Sequence, residues 1–166
     1  MESAYLRHIP QEDIYLFNTG NAKKAWLCFG CRYIPELKAH RFIVWAPNAQ
    51  RVSLVGSFNG WDRDAMPMEK IEGGVWVCFA EGIENGALYK YCVTGADGRQ
   101  ILKSDPFAAY SQTGSETASI VWNGGDFRWG DGEYMQRRAK RDFMTQPMSI
   151  YELHLGSWKN MPGERP

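Results

Sequence analysis

Short apolar runs separated by turn-forming residues dominate the middle of the chain. The runs are rich in β-branched and aromatic residues, and Pro, Asn or Gly residues punctuate them. They span residues 41–46, 51–58, 74–80, 87–93, 99–103 and 117–122. Short strands at this regular spacing are typical of an antiparallel β-sandwich of the immunoglobulin-like type. We therefore predict an all-β domain over residues 39–122.

A tight connection is predicted between the third and fourth of these runs. Glu84-Asn85-Gly86 lies between them, and Asn-Gly between two apolar runs is a strong hairpin signal. A hairpin here would place Cys78 and Cys92 on facing strands.

Different patterns flank the predicted sandwich. Residues 1–38 contain an amphipathic run at 13–17 and a short predicted helix at 22–27. This short N-terminal extension buries too little apolar surface to be stable alone, so we expect it to pack on another surface. Residues 123–147 are polar, Gly-rich and then charged, which predicts a linker with one helix near 133–141.

The last apolar run, residues 149–158, predicts a buried β-strand that follows a turn at Pro147. A strand needs hydrogen-bonded neighbours, and only eight residues follow Trp158. We interpret residues 148–166 as the truncated start of a second domain, and the chain as the front end of a longer protein.

Composition limits the classes of partner. The 19 basic and 19 acidic residues give a formal net charge of zero, which argues against binding to nucleic acid or to an anionic membrane. The basic cluster at 137–141 is interpreted as a solvated helical turn. The chain lacks the apolar core of a signal peptide and any apolar run of membrane-spanning length. These features predict a cytoplasmic protein.

The four cysteines do not form a recognisable metal site. Cys28 and Cys31 have the spacing of metal ligands, but a zinc site needs a second pair of ligands, and the histidines do not supply one. We expect small buried thiols in a reducing compartment, with no metal, no cofactor and no required disulfide.

Catalytic motifs are also lacking. There is no glycine-rich nucleotide-binding loop and no Gly-x-Ser-x-Gly nucleophile motif. Asp62, Asp64 and Glu152 are better explained as turn-capping and structural groups than as a pair of catalytic carboxylates. This chain by itself is not expected to be catalytic.

Trp61 is the best candidate for a binding residue. It follows the turn-forming Asn59-Gly60 pair and precedes charged residues, so it should lie near the surface. An amphipathic ring on a rigid loop can stack on the apolar face of a sugar, while Asn59 and Lys90 bond its hydroxyl groups. Alternatively, Trp61 folds back onto the sheet and Lys90 only covers apolar surface. The pattern leaves both open.

Several motifs resemble a known family. Residues 42–49 and 55–62 are similar to the family 48 carbohydrate-binding modules, which precede the barrel of glycogen-branching and debranching enzymes and occur in the β subunit of AMP-activated kinase. Further segments resemble the branching enzymes in particular, over a range that begins near residue 12. These segments are 15–20, 88–91, 102–108, 116–119 and 147–158.

The resemblance implies a fold and a reaction. The fold is the predicted sandwich followed by the first strand of a (β/α)8 barrel. The reaction is transfer of an α-1,4-glucan segment to a 6-hydroxyl, through an aspartate nucleophile and a glutamate acid/base on later barrel strands. None of those motifs occurs here, so no catalytic residue is assigned. The implied partners are α-glucans (glycogen, starch, maltooligosaccharides) and the protein's own catalytic barrel.

The resemblance transfers the sugar-binding residues only in part. Trp61 matches one tryptophan platform of the kinase module, and Lys90 matches its lysine. Leu102 falls where that module has its second tryptophan, so one platform is lost and sugar binding should be weaker. The competing role is a scaffold that docks against the barrel. The alternatives for the whole are a free-standing glycogen- or starch-binding module and the N-terminal module of a debranching-type hydrolase.

Overall fold

A computed structural model describes residues 3–124, 128–142, 144–145, 147–154 and 158. The chain divides into two compact units, residues 1–125 and 126–166, and each is described by itself.

Two antiparallel sheets form the first unit. Its strands within the described residues are β1 (Gly30–Ile34), β2 (Ala39–Trp45), β3 (Arg51–Gly56), β4 (Glu69–Ile71), β5 (Val75–Glu81), β6 (Leu88–Thr94), β7 (Gln100–Lys103), β8 (Tyr110–Ser111) and β9 (Ser119–Ile120). The first sheet has the order β1-β2-β5-β4. The second has the order β3-β6-β9-β8, and β7 pairs with β6 beside β9. This arrangement confirms the predicted sandwich.

The predicted hairpin between residues 74–80 and 87–93 is wrong. β5 pairs with β2 and β4 in the first sheet, whereas β6 pairs with β3, β7 and β9 in the second. The connection between them therefore crosses from one sheet to the other, and Ile83 is buried on the way. Asn-Gly favours a tight turn, but it does not determine which strands pair. Cys78 and Cys92 consequently lie in different sheets.

The main core lies between the two sheets. Alternate residues of β2, β3 and β6 point into it, as the two-residue period of a strand requires. Phe42, Leu54 and Tyr89 are fully buried there, and the rings of Phe42 and Tyr89 meet edge to face with centroids 5.2 Å apart. Burial on this scale is the main source of stability for a sandwich.

The N-terminal helices cover the outer face of the first sheet. These helices are α1 (Ser3–Leu6), α2 (Gln11–Asn18) and α3 (Ala25–Cys28). Ile14 of α2 and Phe29 pack with Ile43 and Val77 of the sheet in a second apolar cluster. Arg41, also buried, donates from its guanidinium to the carbonyl oxygens of His8 and Cys28, at 2.7 and 2.9 Å. The extension thus packs on the sandwich itself.

Two strands, β1 and β4, were not predicted from the sequence. β1 lies within residues 1–38 and pairs with β2 along its whole length, so the range assigned to the extension contains the first strand of the sheet. β4 is three residues long and polar on its exposed positions, so its sequence carries no alternating signal. The division into four segments stays a prediction.

The second unit contains the predicted helix. α4 (Gly132–Ala139) has Glu133 in its first turn and Arg137 and Arg138 in its last turn, a charge distribution that complements the helix dipole. Residues 149–154 have no assigned strand and are exposed, whereas the prediction was a buried strand. A strand requires a neighbouring strand to bond with, and none of the described residues supplies one. Residues 155–157 lie outside the described ranges.

No helix in the described part of the chain is both long and apolar enough to cross a bilayer.

His40 gives the fold an acid sensitivity. Its side chain is 2% exposed, and burial lowers the pKa of the imidazole below 6.5. The unfolded chain then binds more protons below pH 6.5, so this part of the stability is present above pH 6.5 and is lost as the pH falls. We expect this contribution to the free energy of unfolding to fall as the pH is lowered from 7 to 5.

Urea unfolding at several pH values measures this effect. His40→Gln keeps a donor near Asn123 Oδ1, which lies 2.9 Å from His40 Nε2, and should flatten the pH profile. An unaltered profile in His40→Gln would contradict the assignment.

Candidate functional site

The outer face of the second sheet carries the residues singled out by sequence. β6 turns Tyr89 and Tyr91 towards the core, so the alternation of a strand places Lys90 and Cys92 on the opposite, outer face. Lys90 pairs with Val55 of β3, and Cys92 pairs with Leu102 of β7. We call this surface, together with the loop of residues 57–66 beside it, the outer face.

The loop of residues 57–66 is fastened to the end of β3 by Asn59. The Asn59 amide oxygen accepts a hydrogen bond from Gly56 N at 2.9 Å, and its amide nitrogen donates to Leu54 O at 3.1 Å. Both ends of this side chain therefore form hydrogen bonds with the backbone of β3. Asn59 holds the loop in shape, which is a role that the sequence reading did not give it.

Trp61 has a backbone conformation that bulky residues rarely adopt. Its φ is +63°, directly after Gly60 with a φ of +62°. The Trp61 N–H donates to Gly56 O at 2.9 Å, and this bond holds the turn closed. A non-glycine residue in this region costs about 1–3 kcal/mol and is retained where the surrounding structure imposes it. Trp61 is 37% exposed at this turn.

A salt bridge and a hydrogen bond attach the rest of the loop to the sheet. Asp64 pairs with Arg51 of β3 at 2.7 Å, and Arg63 donates to Gln100 of β7 at 3.2 Å. The pKa of the Cys92 thiol is raised by burial, and Arg63 and Arg51 are close enough to oppose that rise. The loop thus covers part of the outward side of the second sheet.

Lys90 is held in place by a threonine. Its ammonium donates to Thr117 Oγ1 at 2.7 Å, and the Thr117 carbonyl in turn accepts a hydrogen bond from Ser104 Oγ. An ammonium has three N–H donors, and this contact uses one of them. Lys90 is half-buried, so its charge is positioned rather than freely mobile.

Two of the three predicted residues remain candidate contacts. Lys90 lies on the outward side of β6, and Trp61 belongs to the loop that starts at the end of the neighbouring strand β3. Leu102, 36% exposed, also lies on the outward side of the sheet but offers an aliphatic surface. An exposed aromatic ring can stack on a sugar, and a positioned ammonium can donate to its hydroxyl groups. The arrangement suits binding.

A buried polar cluster below this face was missed at the sequence level. Asp105 accepts hydrogen bonds from the hydroxyl groups of Tyr89 and Tyr91, at 2.6 and 3.1 Å, and from Phe107 N at 2.8 Å. Burial raises the pKa of the Asp105 carboxyl, and the hydrogen bonds oppose that rise. Asp105 N donates to Ser119 Oγ at 2.9 Å, which ties the cluster to β9. The available signal was an Asp-Pro pair between strands.

The cysteines are free thiols. Burial raises the pKa of Cys28 to about 11 and that of Cys78 to about 12, so neither thiol is a reactive nucleophile. The described residues contain no group of His, Cys, Asp and Glu side chains placed to hold a metal ion.

Comparison with known proteins identifies a family. Residues 28–108 match the family model of carbohydrate-binding module 48 (isoamylase N-terminal domain). The 1,4-alpha-glucan branching enzyme of Nitratidesulfovibrio vulgaris is 40% identical over 158 residues, which is 92% of this chain and 24% of that protein. The branching enzyme of Rubrobacter xylanophilus is 44% identical over 153 residues, or 90% of this chain and 21% of that protein. The chain thus spans about a quarter of the length of these curated relatives.

A solved structure shares the fold. The type I pullulanase of Bacillus subtilis, complexed with maltose, superposes with a TM-score of 0.51 at 22% identity, covering 61% of this chain and 14% of that one. At this identity the likeness shows only the fold.

The family model and the branching-enzyme relatives together show that residues 28–108 belong to the carbohydrate-binding module 48 family, within a chain that is homologous to the N-terminal region of 1,4-α-glucan branching enzymes.

Proposed function

We propose that this chain binds α-glucan through the outer face of its second sheet. The proposal is supported by Lys90, which Thr117 holds on the outward side of β6, and by Trp61, an exposed residue in the loop at the end of the neighbouring strand β3. The indole stacks on the apolar face of a glucose ring, and the ammonium donates to a hydroxyl group. Because Lys90 is held by Thr117 before binding, little of its conformational entropy is lost when the sugar arrives.

For the whole protein we propose the branching reaction of its relatives. A segment of α-1,4-glucan would be transferred to a 6-hydroxyl by a catalytic barrel that follows this chain. The similarity to branching enzymes extends over about nine-tenths of the chain and so beyond residues 28–108, which favours this reading over a free-standing module. Here the chain would hold glucan near the barrel, with glycogen, starch or maltooligosaccharide as ligand. A cytoplasmic location fits its free thiols.

A second role is supported by a separate observation. Asn59 uses its amide on the backbone of β3, and Leu102 presents an aliphatic side chain on the outward side of the sheet. A module with these features could serve instead as a scaffold that docks against the barrel. The two roles differ in whether the chain alone binds glucan.

Titration of this chain with maltoheptaose separates the two roles. Replacing Trp61 with alanine removes the stacking ring, so we expect the dissociation constant to rise about tenfold, which corresponds to roughly 1.4 kcal/mol. Trp61→Phe keeps a ring and should lose less. The measurement is isothermal calorimetry on the wild type and both variants.

The matched control is Trp26→Ala. Trp26 is an exposed tryptophan of α3, on the N-terminal segment that covers the other sheet, and its loss should leave the affinity unchanged. If the wild type binds no glucan at millimolar concentration, the binding proposal fails and the scaffold role is favoured.

A further inference from the structure

An exposed aromatic pair lies beside the predicted sugar contacts. The rings of Tyr110 and Trp122 have centroids 5.6 Å apart and are inclined by 59°. Tyr110 is 52% exposed and Trp122 is 42% exposed. Large aromatic side chains usually bury most of their surface, so two of them side by side in solvent mark a surface that binds something.

Strand register places this pair on the outer face. Leu88 of β6 pairs with Ile120 of β9, and Ile120 pairs with Tyr110 of β8, so these three residues share a face. Leu88 is two residues from Lys90 and lies on the same side of β6 as Lys90.

Trp122 belongs to the same surface. The ladder continues past β9, because Val121 N donates to Ala87 O and Gly86 N donates to Val121 O, both at 2.8 Å. Val121 is fully buried in the core between the sheets, so the next residue, Trp122, points away from that core. It therefore joins Tyr110 on the outer face.

We propose that Tyr110 and Trp122 form a second stacking platform for the same glucan chain, in place of the ring that is lacking at Leu102. The inference rests on the proposed binding function. Trp61 is attached at the end of β3, and Tyr110 is three strands away, roughly 14 Å at the usual strand spacing. Lys90 and Thr117 lie between these two ends. A glucan chain laid across the strands would meet a ring, then hydrogen-bonding groups, then two more rings.

The composition of the surface favours a sugar over an apolar protein partner. Sugars present apolar ring faces edged with hydroxyl groups, so their binding sites combine aromatic rings with polar side chains. Here the exposed rings flank a positioned lysine and threonine, and Gln112, whose amide oxygen accepts Ala118 N at 3.1 Å, lies beside them.

The length of the glucan distinguishes this second platform from the Trp61 site. A short ligand such as maltotriose fills only the Trp61 end, whereas maltoheptaose reaches both ends. We expect Trp122→Ala to weaken binding of maltoheptaose about tenfold and to leave maltotriose unchanged. Trp61→Ala should weaken both. Tyr110→Ala should act like Trp122→Ala, and Trp122→Phe should retain most of the affinity.

The measurement is calorimetric titration of each variant with both sugars, after thermal denaturation has shown that the variant is folded. Trp26→Ala serves again as the exposed-tryptophan control. If Trp61→Ala weakens binding while Trp122→Ala and Tyr110→Ala do not, the second platform is wrong. Equal loss for both sugar lengths in Trp122→Ala also overturns it. A wild type that binds neither sugar overturns this inference and the proposed function together.

Discussion

Replacing Asp105 with alanine is expected to lower the free energy of unfolding by about 3 kcal/mol or more. The carboxyl group accepts hydrogen bonds from two tyrosine hydroxyl groups and one backbone N–H. Tyr89 and Tyr91 are fully buried, so their hydroxyl groups do not reach solvent. Without Asp105 these hydroxyl groups lose this hydrogen-bond partner, and water does not replace it. An unsatisfied buried polar group costs about 1–3 kcal/mol, and here there are two.

Urea unfolding of the wild type and the variant measures this loss. Asp97→Ala is the matched control, because Asp97 lies in an exposed turn and pairs with Arg99, two residues further along. That change should cost about 0.5 kcal/mol or less. Asp105→Asn keeps the volume and one acceptor, so it should fall between the other two variants. A cost for Asp105→Ala no larger than that for Asp97→Ala would contradict the structure.

The same change should also weaken sugar binding, because the cluster supports the outer face from below. The backbone N–H of Asp105 donates a hydrogen bond to Ser119 Oγ, and Oγ of the adjacent Ser104 donates to the carbonyl oxygen of Thr117. Thr117 in turn positions the ammonium of Lys90. In Asp105→Ala these contacts remain, but the carboxylate no longer anchors residues 104–105 to Tyr89 and Tyr91. We therefore expect Asp105→Ala to raise the dissociation constant for maltoheptaose even under conditions in which the variant is fully folded.

The sequence predicted the strands better than their pairing. The alternation of inward tyrosines with outward Lys90 along residues 88–94 is a local property, and it is visible in the letters alone. Which strand lies beside which depends on contacts between distant residues. The Asn85-Gly86 turn illustrates the limit, since the same dipeptide serves here in a crossing between sheets rather than in a hairpin.

For the candidate site, the sequence predicted the surface position of Trp61 but not the contacts of its neighbours. Charged and turn-forming neighbours indicated correctly that Trp61 reaches the surface. The amide of Asn59 forms hydrogen bonds with two backbone groups of β3. Residue types alone do not predict such a hydrogen-bonding arrangement. Tyr110 and Trp122 are twelve residues apart in sequence, and only the pairing of β8 with β9 brings their rings together.

Substitution of Gly30 by alanine is the second change with a large expected effect. Gly30 has a φ of +82°, and a Cβ there would lie 2.6 Å from the carbonyl oxygen of Phe107, a backbone atom that cannot move aside easily. Phe29, the preceding residue, stacks on Phe107 with ring centroids 5.2 Å apart. The left-handed conformation costs alanine about 1–2 kcal/mol, and overpacking adds about 1–3 kcal/mol. We expect a total of about 3 kcal/mol in urea unfolding.

Gly20 separates these two contributions. Its φ of +75° is almost the same, but no heavy atom lies within 4 Å of an added Cβ. Gly20→Ala should therefore cost only the conformational part, about 1 kcal/mol. The difference between the two variants then measures how tightly the segment around Asp105 packs against the start of β1. Equal costs would mean that this segment moves away without penalty, and the support that it gives to β9 and Lys90 would then be loose as well.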